Sequence, residues 1–343
     1  MEVKQNTLYL TTPGSYVSRD HLTLRIEVQR EVKLSVPIHH LESVCIFGQS
    51  SISPFALELC WERGVPVNYF SENGYFLGRW EGVANTSVLL RRAQYRAADS
   101  EAASLSIARQ CVAGKLQNSR ISLLRSARET DISGDRDRLQ SCAEDIGEIL
   151  RRLERGESVD QVRGYEGQSA HLYFSVFDLH LRQQRSDFQF TTRSRRPARD
   201  PINCLLSYLY ALLRHDLIAA LTATGLDPFV GYLHVERPNR PALALDLMEE
   251  FRPMLCDRLA ITLVNRRQIG PKEFVRREGG AVEFSTAGRK AVISAYQLRK
   301  QEVVRHPIVD EEHRLGQFML VQARILARHL RGDLAEYLPC VLR

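Results

Sequence analysis

The chain has 343 residues, of which 44% are hydrophobic and 26% are charged, with 47 Lys and Arg against 41 Asp and Glu. This balance excludes a disordered chain and a disulfide-dense miniprotein, and the length is typical of about two domains. The net charge of +6 is compatible with nucleic acid as a partner but does not require it. No run of about 18 apolar residues and no secretory signal is present, so we expect a cytoplasmic protein without a membrane-spanning helix.

Seven cysteines are scattered singly along the chain, without a CxxC pair. Their odd number and wide spacing predict reduced thiols, and they argue against a zinc ribbon or a disulfide framework.

The first 86 residues show the pattern of a small β domain, because apolar and polar residues alternate in them with a period of two. The predicted strands are residues 22–28, 32–38, 41–47, 65–70 and 75–80. Ser53 followed by Pro54 predicts the start of one short helix over 54–63. The Asn73-Gly74 dipeptide predicts a hairpin turn between the last two strands.

From about Ser87 onward, apolar residues recur at steps of three and four, which is the period of an α-helix. Residues 127–137 are polar with one glycine and predict a loop. The helices predicted beyond this loop are 138–155, 157–182, 201–223, 243–258, 286–300 and 310–331. The expected fold class is therefore α+β. A small N-terminal, mostly antiparallel β domain with one helix (1–86) precedes a larger all-α domain (87–343).

Arginines are concentrated in the helical part of the chain. Six of them, with Asp187 as the single acid, lie between Arg182 and Arg199, and prolines exclude a long helix there. Such a loop suits phosphate contacts because guanidinium groups match phosphate oxygens. A solvated charge run explains the same composition equally well.

Three short segments of the helical part contain residues capable of chemistry. Two glycines flank Glu166 in an otherwise helical stretch, where each costs about 1 kcal/mol of helix stability. They would let another group approach the backbone, although a helix packing contact explains them as well. His234 follows Gly231 in a loop, and a lone loop histidine is by itself weak evidence of a site.

The third segment contains LDLMEEFRP, in which Asp246 and Glu249 are three residues apart and share a helix face. A solvated surface face explains this pair too. However, Pro253 would clash with the carbonyl of Glu249 and bend the helix, which suits a site better than a surface. Together Glu166, His234 and Glu249 offer oxygen and imidazole ligands that suit Mg²⁺ or Mn²⁺, and no thiolate set for structural zinc is present.

Four motifs occur in a fixed order, and together they resemble one known family. They are Arg163-Gly-Tyr-Glu166-Gly, Arg193-Ser-Arg-Arg-Pro197 with Asp200-Pro-Ile-Asn203 and Leu206-Ser-Tyr, Gly231-Tyr-Leu-His234, and Leu245-Asp246-Leu-Met-Glu249-Glu-Phe-Arg-Pro253. Their succession resembles the CRISPR-associated endonuclease and integrase of spacer acquisition, the Cas-one family, over essentially the whole chain. The last motif is most similar to the type I-C branch.

The resemblance implies a set of site residues. The metal ligands of the family fall on Glu166, His234 and Glu249, and the last of these positions is commonly aspartate in the family. Asp246 matches a supporting acid, and Tyr165, Asn203 and Ser207 match positions that border the site. The basic residues expected to contact DNA are Arg163, Arg182, Arg185, Arg193, Arg195, Arg196, Arg199, Arg266, Arg267 and Lys290.

The resemblance also implies the activity and the partners. A prespacer 3′-OH would attack a phosphodiester at the leader-proximal repeat, so the protein would join DNA ends by transesterification, with water giving nuclease activity instead. The substrates would be double-stranded and branched DNA. Residues 1–86 would form a homodimer, and a small second Cas protein (Cas-two) would complete the integration complex.

Two other functions remain open on the sequence. A non-catalytic nucleic-acid-binding scaffold could keep the fold and the arginines, although it would not need Glu166, His234 and Glu249 together. A metallohydrolase of small phosphoesters would need a closed pocket, which the arginine-rich loop disfavours.

Overall fold

The structure is a computed structural model, and it describes residues 7–72, 76–80, 82, 88–194 and 197–342. The contacts group the chain into two compact units, Met1–Thr86 and Ser87–Arg343. The structure confirms the predicted arrangement, in which an N-terminal β-rich region precedes a larger helical region.

The N-terminal unit contains eight strands and one helix among its described residues. They are β1 (Thr7–Leu10), β2 (Ser15–Asp20), β3 (Thr23–Val28), β4 (Glu31–Pro37), β5 (Ser43–Phe47), β6 (Ser51–Ile52), α1 (Pro54–Glu62), β7 (Val67–Phe70) and β8 (Phe76–Trp80). The Ser53 hydroxyl caps α1 by accepting a hydrogen bond from the Ala56 N–H, as the Ser-Pro signal predicts. The Asn73-Gly74 turn lies outside the described residues, but β7 and β8 on either side of it pair antiparallel.

The expectation of a single sheet is wrong for this unit. Its strands form two four-stranded sheets, ordered β1-β5-β7-β8 and β4-β3-β2-β6. Three of the six pairings, β1–β5, β5–β7 and β2–β6, are parallel. For β5 and β7 the physical reason is α1, since this helix lies between them in the chain and carries it back across the sheet, which makes the two strands parallel. Both sheets and α1 contribute side chains to a single apolar core.

The second unit is predominantly helical. Its elements are α2 (Val88–Ala98), α3 (Glu101–Glu129), α4 (Ser133–Leu153), α5 (Val159–Ser175), α6 (Pro201–Thr224), α7 (Ala242–Phe251), α8 (Arg258–Asn265), β9 (Phe274–Arg276), β10 (Val282–Phe284), α9 (Thr286–Gln301), β11 (Val303–Arg305), β12 (Glu312–Arg314) and α10 (Phe318–Leu330). A π-helical segment, Arg252–Asp257, joins α7 to α8.

Several element boundaries differ from the sequence-based expectations. The predicted loop 127–137 is mostly helical, because α3 continues to Glu129 and α4 begins at Ser133. The predicted all-α domain contains two short antiparallel ribbons, β9–β10 and β11–β12. The second ribbon takes up the start of the predicted helix 310–331, since an ion pair between Arg305 and Asp310 closes its turn at 2.5 Å.

Helix α6 is largely buried in the helical unit. Of the described helices it alone is long and apolar enough to cross a membrane, but 72% of the qualifying segment is buried inside the protein. Its apolar character is that of a core helix. All seven cysteines are buried and free, as their spacing predicts.

Candidate active site

Helix α3 brings together the segments that contain the predicted ligands. It packs against both α5, which contains Glu166, and α7, which contains Glu249. His234 lies in the loop between α6 and α7. The three side chains therefore reach one region of the helical unit from separate parts of the sequence.

The glycines beside Glu166 face open space. A Cβ atom added at Gly164 or at Gly167 would meet no atom within 4 Å. The explanation that these two glycines permit a helix packing contact is therefore wrong. The Glu166 side chain itself is 28% exposed, so this face of α5 leaves the carboxylate accessible from outside.

His234 is held in position by Asp246, a fully buried carboxylate on α7. The Asp246 oxygens accept hydrogen bonds from the backbone N–H groups of Tyr232 at 2.6 Å, Leu233 at 3.0 Å and His234 at 2.9 Å. One of them also lies 2.8 Å from His234 Nδ1. A proton on Nδ1 would be donated to this carboxylate, which leaves Nε2 as an acceptor for a ligand.

Gly231 is required by the same arrangement. A Cβ at this position would lie 2.7 Å from Asp246 Oδ2, 2.8 Å from the carbonyl carbon of Ala242 and 2.9 Å from its Cβ. The glycine of the Gly-Tyr-Leu-His motif therefore lets the loop lie against the start of α7, where Asp246 can bond to it.

Two cations surround the nearly buried Glu249. Lys115 Nζ on α3 lies 2.6 Å from Glu249 Oε2 and also contacts Glu166 Oε1, while Arg252 Nη2 lies 3.1 Å from Glu249 Oε1. Burial by itself raises the pKa of Glu249. The neighbouring charges of Arg252 and Lys115 outweigh burial and lower that pKa. Glu249 is therefore a carboxylate at every physiological pH.

The Arg252 guanidinium connects this carboxylate to the arginine-rich loop. It lies over the ring of Tyr210 at 4.9 Å from the centroid, and Arg193 lies over the same ring at 5.5 Å. Arg193 donates to Asn203 Oδ1 at 2.6 Å and to the Ser207 hydroxyl at 3.0 Å. Asn203 and Ser207, which the sequence predicts as bordering residues, are thus connected to Glu249 through Arg193, Tyr210 and Arg252.

Tyr165 and Arg163 contact other groups. The ring of Tyr165 lies 5.2 Å from the Arg152 guanidinium, and Arg163 donates to the Leu233 carbonyl at 2.8 Å and pairs with Asp160. Arg163 therefore links α5 to the loop that contains His234. Its predicted DNA contact stays a prediction.

The oxygen and imidazole donors of Glu166, His234 and Glu249 suit a hard divalent cation. Their positions fit such an ion only in part. His234 Nε2 lies 3.8 Å from Glu249 Oε1, and the buried Glu249 Oε2 accepts no well-directed hydrogen bond. In the part of the chain that the structure describes, no three His, Cys, Asp or Glu side chains converge closely enough to hold an ion as they stand. The ammonium of Lys115 lies between the two carboxylates, so the residues fit Mg²⁺ or Mn²⁺ if this ammonium moves aside.

Five of the eight described residues that were predicted to contact DNA already have side-chain partners inside the helical unit. They are Arg163 (Asp160), Arg182 (Glu129), Arg185 (Asp135), Arg193 (Asn203 and Ser207) and Arg267 (Gln183). Six of the described residues are exposed: Arg182, Arg185, Arg199, Arg266, Arg267 and Lys290. Arg195 and Arg196 lie outside the described residues.

A cavity of about 130 Å³ lined by residues of α3 and α8 collects further positive charge. Five arginines line it: Arg125, Arg182, Arg258, Arg266 and Arg299. Burial lowers the pKa of Arg299, and the charge of Arg125 adds to this shift against the opposing effect of Glu302. Of these five, only Arg182 and Arg266 were expected from sequence to contact DNA.

Lys115 is the site residue that the sequence analysis missed. A signal was present, since Lys115 shares a helix face with Cys111, Val112 and Asn118, all of which are buried. A lysine on an apolar helix face needs a partner, because burying an unpaired charge is costly. The sequence could not say which acid the partner was.

Comparison with known proteins assigns the family. The model of the family "CRISPR associated protein Cas1" matches residues 8–298. The chain is 47% identical over 343 residues to a CRISPR-associated endonuclease Cas1 of Moorella thermoacetica, with all of both chains covered. It is 43% identical over the same length, again with full coverage of both, to one of Chlorobaculum tepidum.

The chain belongs to the Cas1 family.

Solved structures agree with this Cas1 fold. A CAS1 protein from Thermotoga maritima superposes with a TM-score of 0.82 at 23% identity, covering 98% of this chain and all of the other. A casposase bound to integration product gives 0.83 at 24% identity, covering 98% and 93%. A chain of a Cas6-RT-Cas1–Cas2 complex gives 0.82 at 23% identity, and the match spans 99% of this chain and 36% of that one.

Proposed function

We propose that this chain is a metal-dependent DNA endonuclease and integrase of CRISPR adaptation, which joins prespacer 3′-OH ends to the leader-proximal repeat. The observation that carries the proposal is the meeting of Glu166, His234 and Glu249 from three segments of a Cas1-family fold, with Asp246 bonded to the imidazole. The names of the related endonucleases and of the casposase support this activity.

Glu166, His234 and Glu249 would hold the ion, either Mg²⁺ or Mn²⁺. When bound, a divalent ion would polarise the scissile phosphodiester and neutralise the charge that develops on it. The protein supplies the geometry. Asp246 keeps His234 Nε2 directed toward Glu249, and Arg252 holds the Glu249 carboxylate from its other side.

The reaction at this site would be an in-line displacement at phosphorus. The prespacer 3′-OH gives up its proton to solvent as its oxygen forms a bond to the repeat phosphate, and the bond from that phosphate to the repeat 3′-oxygen breaks. The repeat 3′-oxygen leaves as an alcohol after it takes up a proton. With water in place of the prespacer 3′-OH, the same displacement would be DNA hydrolysis.

DNA would be held chiefly through its phosphates. The exposed residues Arg199, Arg266 and Lys290, together with the arginine-lined cavity, support a salt-sensitive contact surface that is largely independent of base sequence. The Gly164 and Gly167 face of α5 would let the DNA backbone approach Glu166 without obstruction.

The assembly state is also proposed. We propose a cytoplasmic homodimer formed through the N-terminal unit, in complex with a small second Cas protein (Cas-two). Strand β4 is an edge strand, and its Val32 and Leu34 side chains are 44% and 49% exposed. An edge strand with exposed apolar side chains is suited to pairing with another chain. We also propose that the protein is of the type I-C subtype, on the basis of its LDLMEEFRP motif.

The deciding experiment is strand transfer from a labelled branched DNA with Mn²⁺, Mg²⁺ or EDTA. We expect metal-dependent joining by the wild type. The activity should fall by at least about a hundredfold in Glu166→Gln, His234→Ala and Glu249→Gln, because mutating even a residue that only hydrogen-bonds to a metal ligand lowers metal affinity or activity about 10- to 100-fold. DNA binding should remain, since the arginines are unchanged. The matched control is Glu154→Gln at an exposed carboxylate of the same unit.

Two results would contradict the proposal. Full activity in all three variants would show that the site lies elsewhere. Tight DNA binding by the wild type with Cas-two present, but without any metal-dependent joining, would favour the non-catalytic scaffold.

A further inference from the structure

We propose that Lys115 is an internal counter-ion of the active site, whose ammonium a divalent ion must displace before it can bind. The proposal rests on the proposed metal site and names a residue that regulates it. Lys115 Nζ lies 2.6 Å from Glu249 Oε2 and hydrogen-bonds to Glu166 Oε1, so it bridges the two carboxylates that would hold the ion.

Lys115 is well buried on helix α3, with only 11% of its side chain exposed. Its Nζ contacts a carboxylate oxygen of Glu166 and one of Glu249, and these two contacts favour the charged ammonium. It stabilises two carboxylates that would otherwise repel each other in a region of low dielectric.

The local charge balance explains why the ammonium has to move. Glu166 and Glu249 are balanced by Lys115 and Arg252. A divalent ion added between the carboxylates would lie beside two retained cations and would lose most of the attraction that binds it. One of the two cations must therefore withdraw.

Lys115 is the cation that can withdraw. Arg252 is fixed on the face of Tyr210, with its guanidinium 4.9 Å from the ring centroid. Lys115 has a flexible four-carbon stem and a compact ammonium. The Glu166 side of the bridge is also the more accessible one, because that side chain is 28% exposed against 3% for Glu249.

The test compares Mn²⁺ binding and thermal unfolding of the full-length protein and of Lys115→Met. Without the competing ammonium, we expect Mn²⁺ to bind about tenfold tighter or more in calorimetry. In EDTA the variant should unfold about 5 to 10 °C lower, because the buried Glu249 and the partly exposed Glu166 both lose a partner. Lys272→Met, at an exposed lysine of the same unit, is the control and should change neither quantity.

A second measurement does not depend on the variant folding. In the wild type, displacement of the ammonium should increase acetylation of Lys115 by an amine-reactive reagent when Mn²⁺ is added, as read by peptide mass spectrometry. Labelling of the exposed Lys272 should stay constant. If labelling of Lys115 is unchanged by Mn²⁺, or a folded Lys115→Met binds Mn²⁺ no tighter than the wild type, Lys115 does not compete with the ion.

The two proposals can fail separately. If the wild type binds Mn²⁺ and His234→Ala does not, the metal site stands, whatever Lys115→Met shows. If the wild type binds no Mn²⁺, the metal site and the competing role of Lys115 are both overturned.

Discussion

Three acids within five residues of one helix have different environments. Asp246 bonds the loop that contains His234, Glu249 faces Lys115 and Arg252, and Glu250 binds the C-terminal segment. The Glu250 oxygens accept from the Tyr337 hydroxyl at 2.5 Å and from the Cys340 N–H at 2.6 Å. Burial raises the pKa of Glu250 to about 7, against these hydrogen bonds. Because a helix rotates about 100° per residue, adjacent glutamates face different neighbours.

Gly231 gives a prediction at the scale of one residue. Gly231→Ala should destabilise the protein by about 1 to 3 kcal/mol, because its Cβ would overlap Ala242 and the Asp246 carboxylate, neither of which has room to move. Thermal unfolding with EDTA is the measurement. The control, Gly164→Ala, adds a Cβ in open space and should stabilise α5 by up to about 1 kcal/mol. An unchanged unfolding temperature for Gly231→Ala would contradict the close approach.

Among the secondary-structure elements, the junction between α7 and α8 and the arginine-rich loop are both held in place by contacts with Tyr210. Pro253 follows α7 and lies in a π-helical segment, which agrees with the predicted distortion of the helix. The segment ends at Asp257, which accepts a hydrogen bond from the Tyr210 hydroxyl at 2.6 Å. Tyr210 is thus held at its hydroxyl while its ring lies against Arg252 and Arg193.

Asn203 is the residue that orders the arginine-rich loop. Its amide donates to the Thr192 carbonyl at 2.8 Å, and its Oδ1 accepts from the Ser194 N–H at 2.9 Å and from Arg193. Asn203→Ala should cost about 1 to 3 kcal/mol of stability and weaken DNA binding, because buried groups of the loop lose their partners.

The measurement for Asn203→Ala is DNA affinity over a salt series, alongside Mn²⁺ affinity, which should not change. Ser207→Ala removes only one hydrogen bond to Arg193 and serves as the milder comparison. Wild-type DNA affinity in a folded Asn203→Ala would remove this loop from the DNA-binding surface.

At the scale of the whole molecule, His180 makes stability depend on pH. It is 1% exposed, its Nδ1 lies 2.7 Å from the Ser126 hydroxyl, and burial lowers its pKa from 6.5 to about 4. The unfolded chain therefore binds a proton that the folded protein resists. The contribution of His180 to stability is complete above pH 6.5 and is lost as the pH falls from there to about 4.

The expected loss is about 3 kcal/mol from His180 between pH 7 and pH 4. His180→Phe keeps the ring packing against Tyr173 and Phe177 and should flatten this part of the pH profile in denaturant unfolding. His171→Phe, at an exposed position, is the control. Equal slopes for His180→Phe and the wild type would show that His180 does not titrate in this way.

The proposed dimer can be tested on the N-terminal unit. Leu34→Lys should shift the protein from dimer to monomer in light scattering, because it places a charge on the exposed edge strand β4. Leu77→Lys makes the same change at a side chain that is 67% exposed on β8, the edge of the other sheet, and should leave the oligomeric state unchanged. A dimer that survives Leu34→Lys would exclude this edge as the interface.

The sequence alone determined the broad organisation of this protein and its family. The change from a period of two to a period of three and four near Ser87 predicts a β-rich region before a helical one, because side-chain burial follows backbone periodicity. Four ordered motifs indicate the Cas1 family, and they contain Glu166, His234, Asp246 and Glu249. These properties are local, so they can be read without knowing which segments meet.

Only the tertiary structure decided the contacts between distant segments. The division of the strands between two sheets and the parallel pairings depend on how the connections cross between strands, and the pattern of each strand does not contain this information. Lys115 lies 51 residues from Glu166 along the chain, and its role is visible only because α3 packs against both α5 and α7. Periodicity shows that a side chain is buried, whereas packing decides which charge it meets.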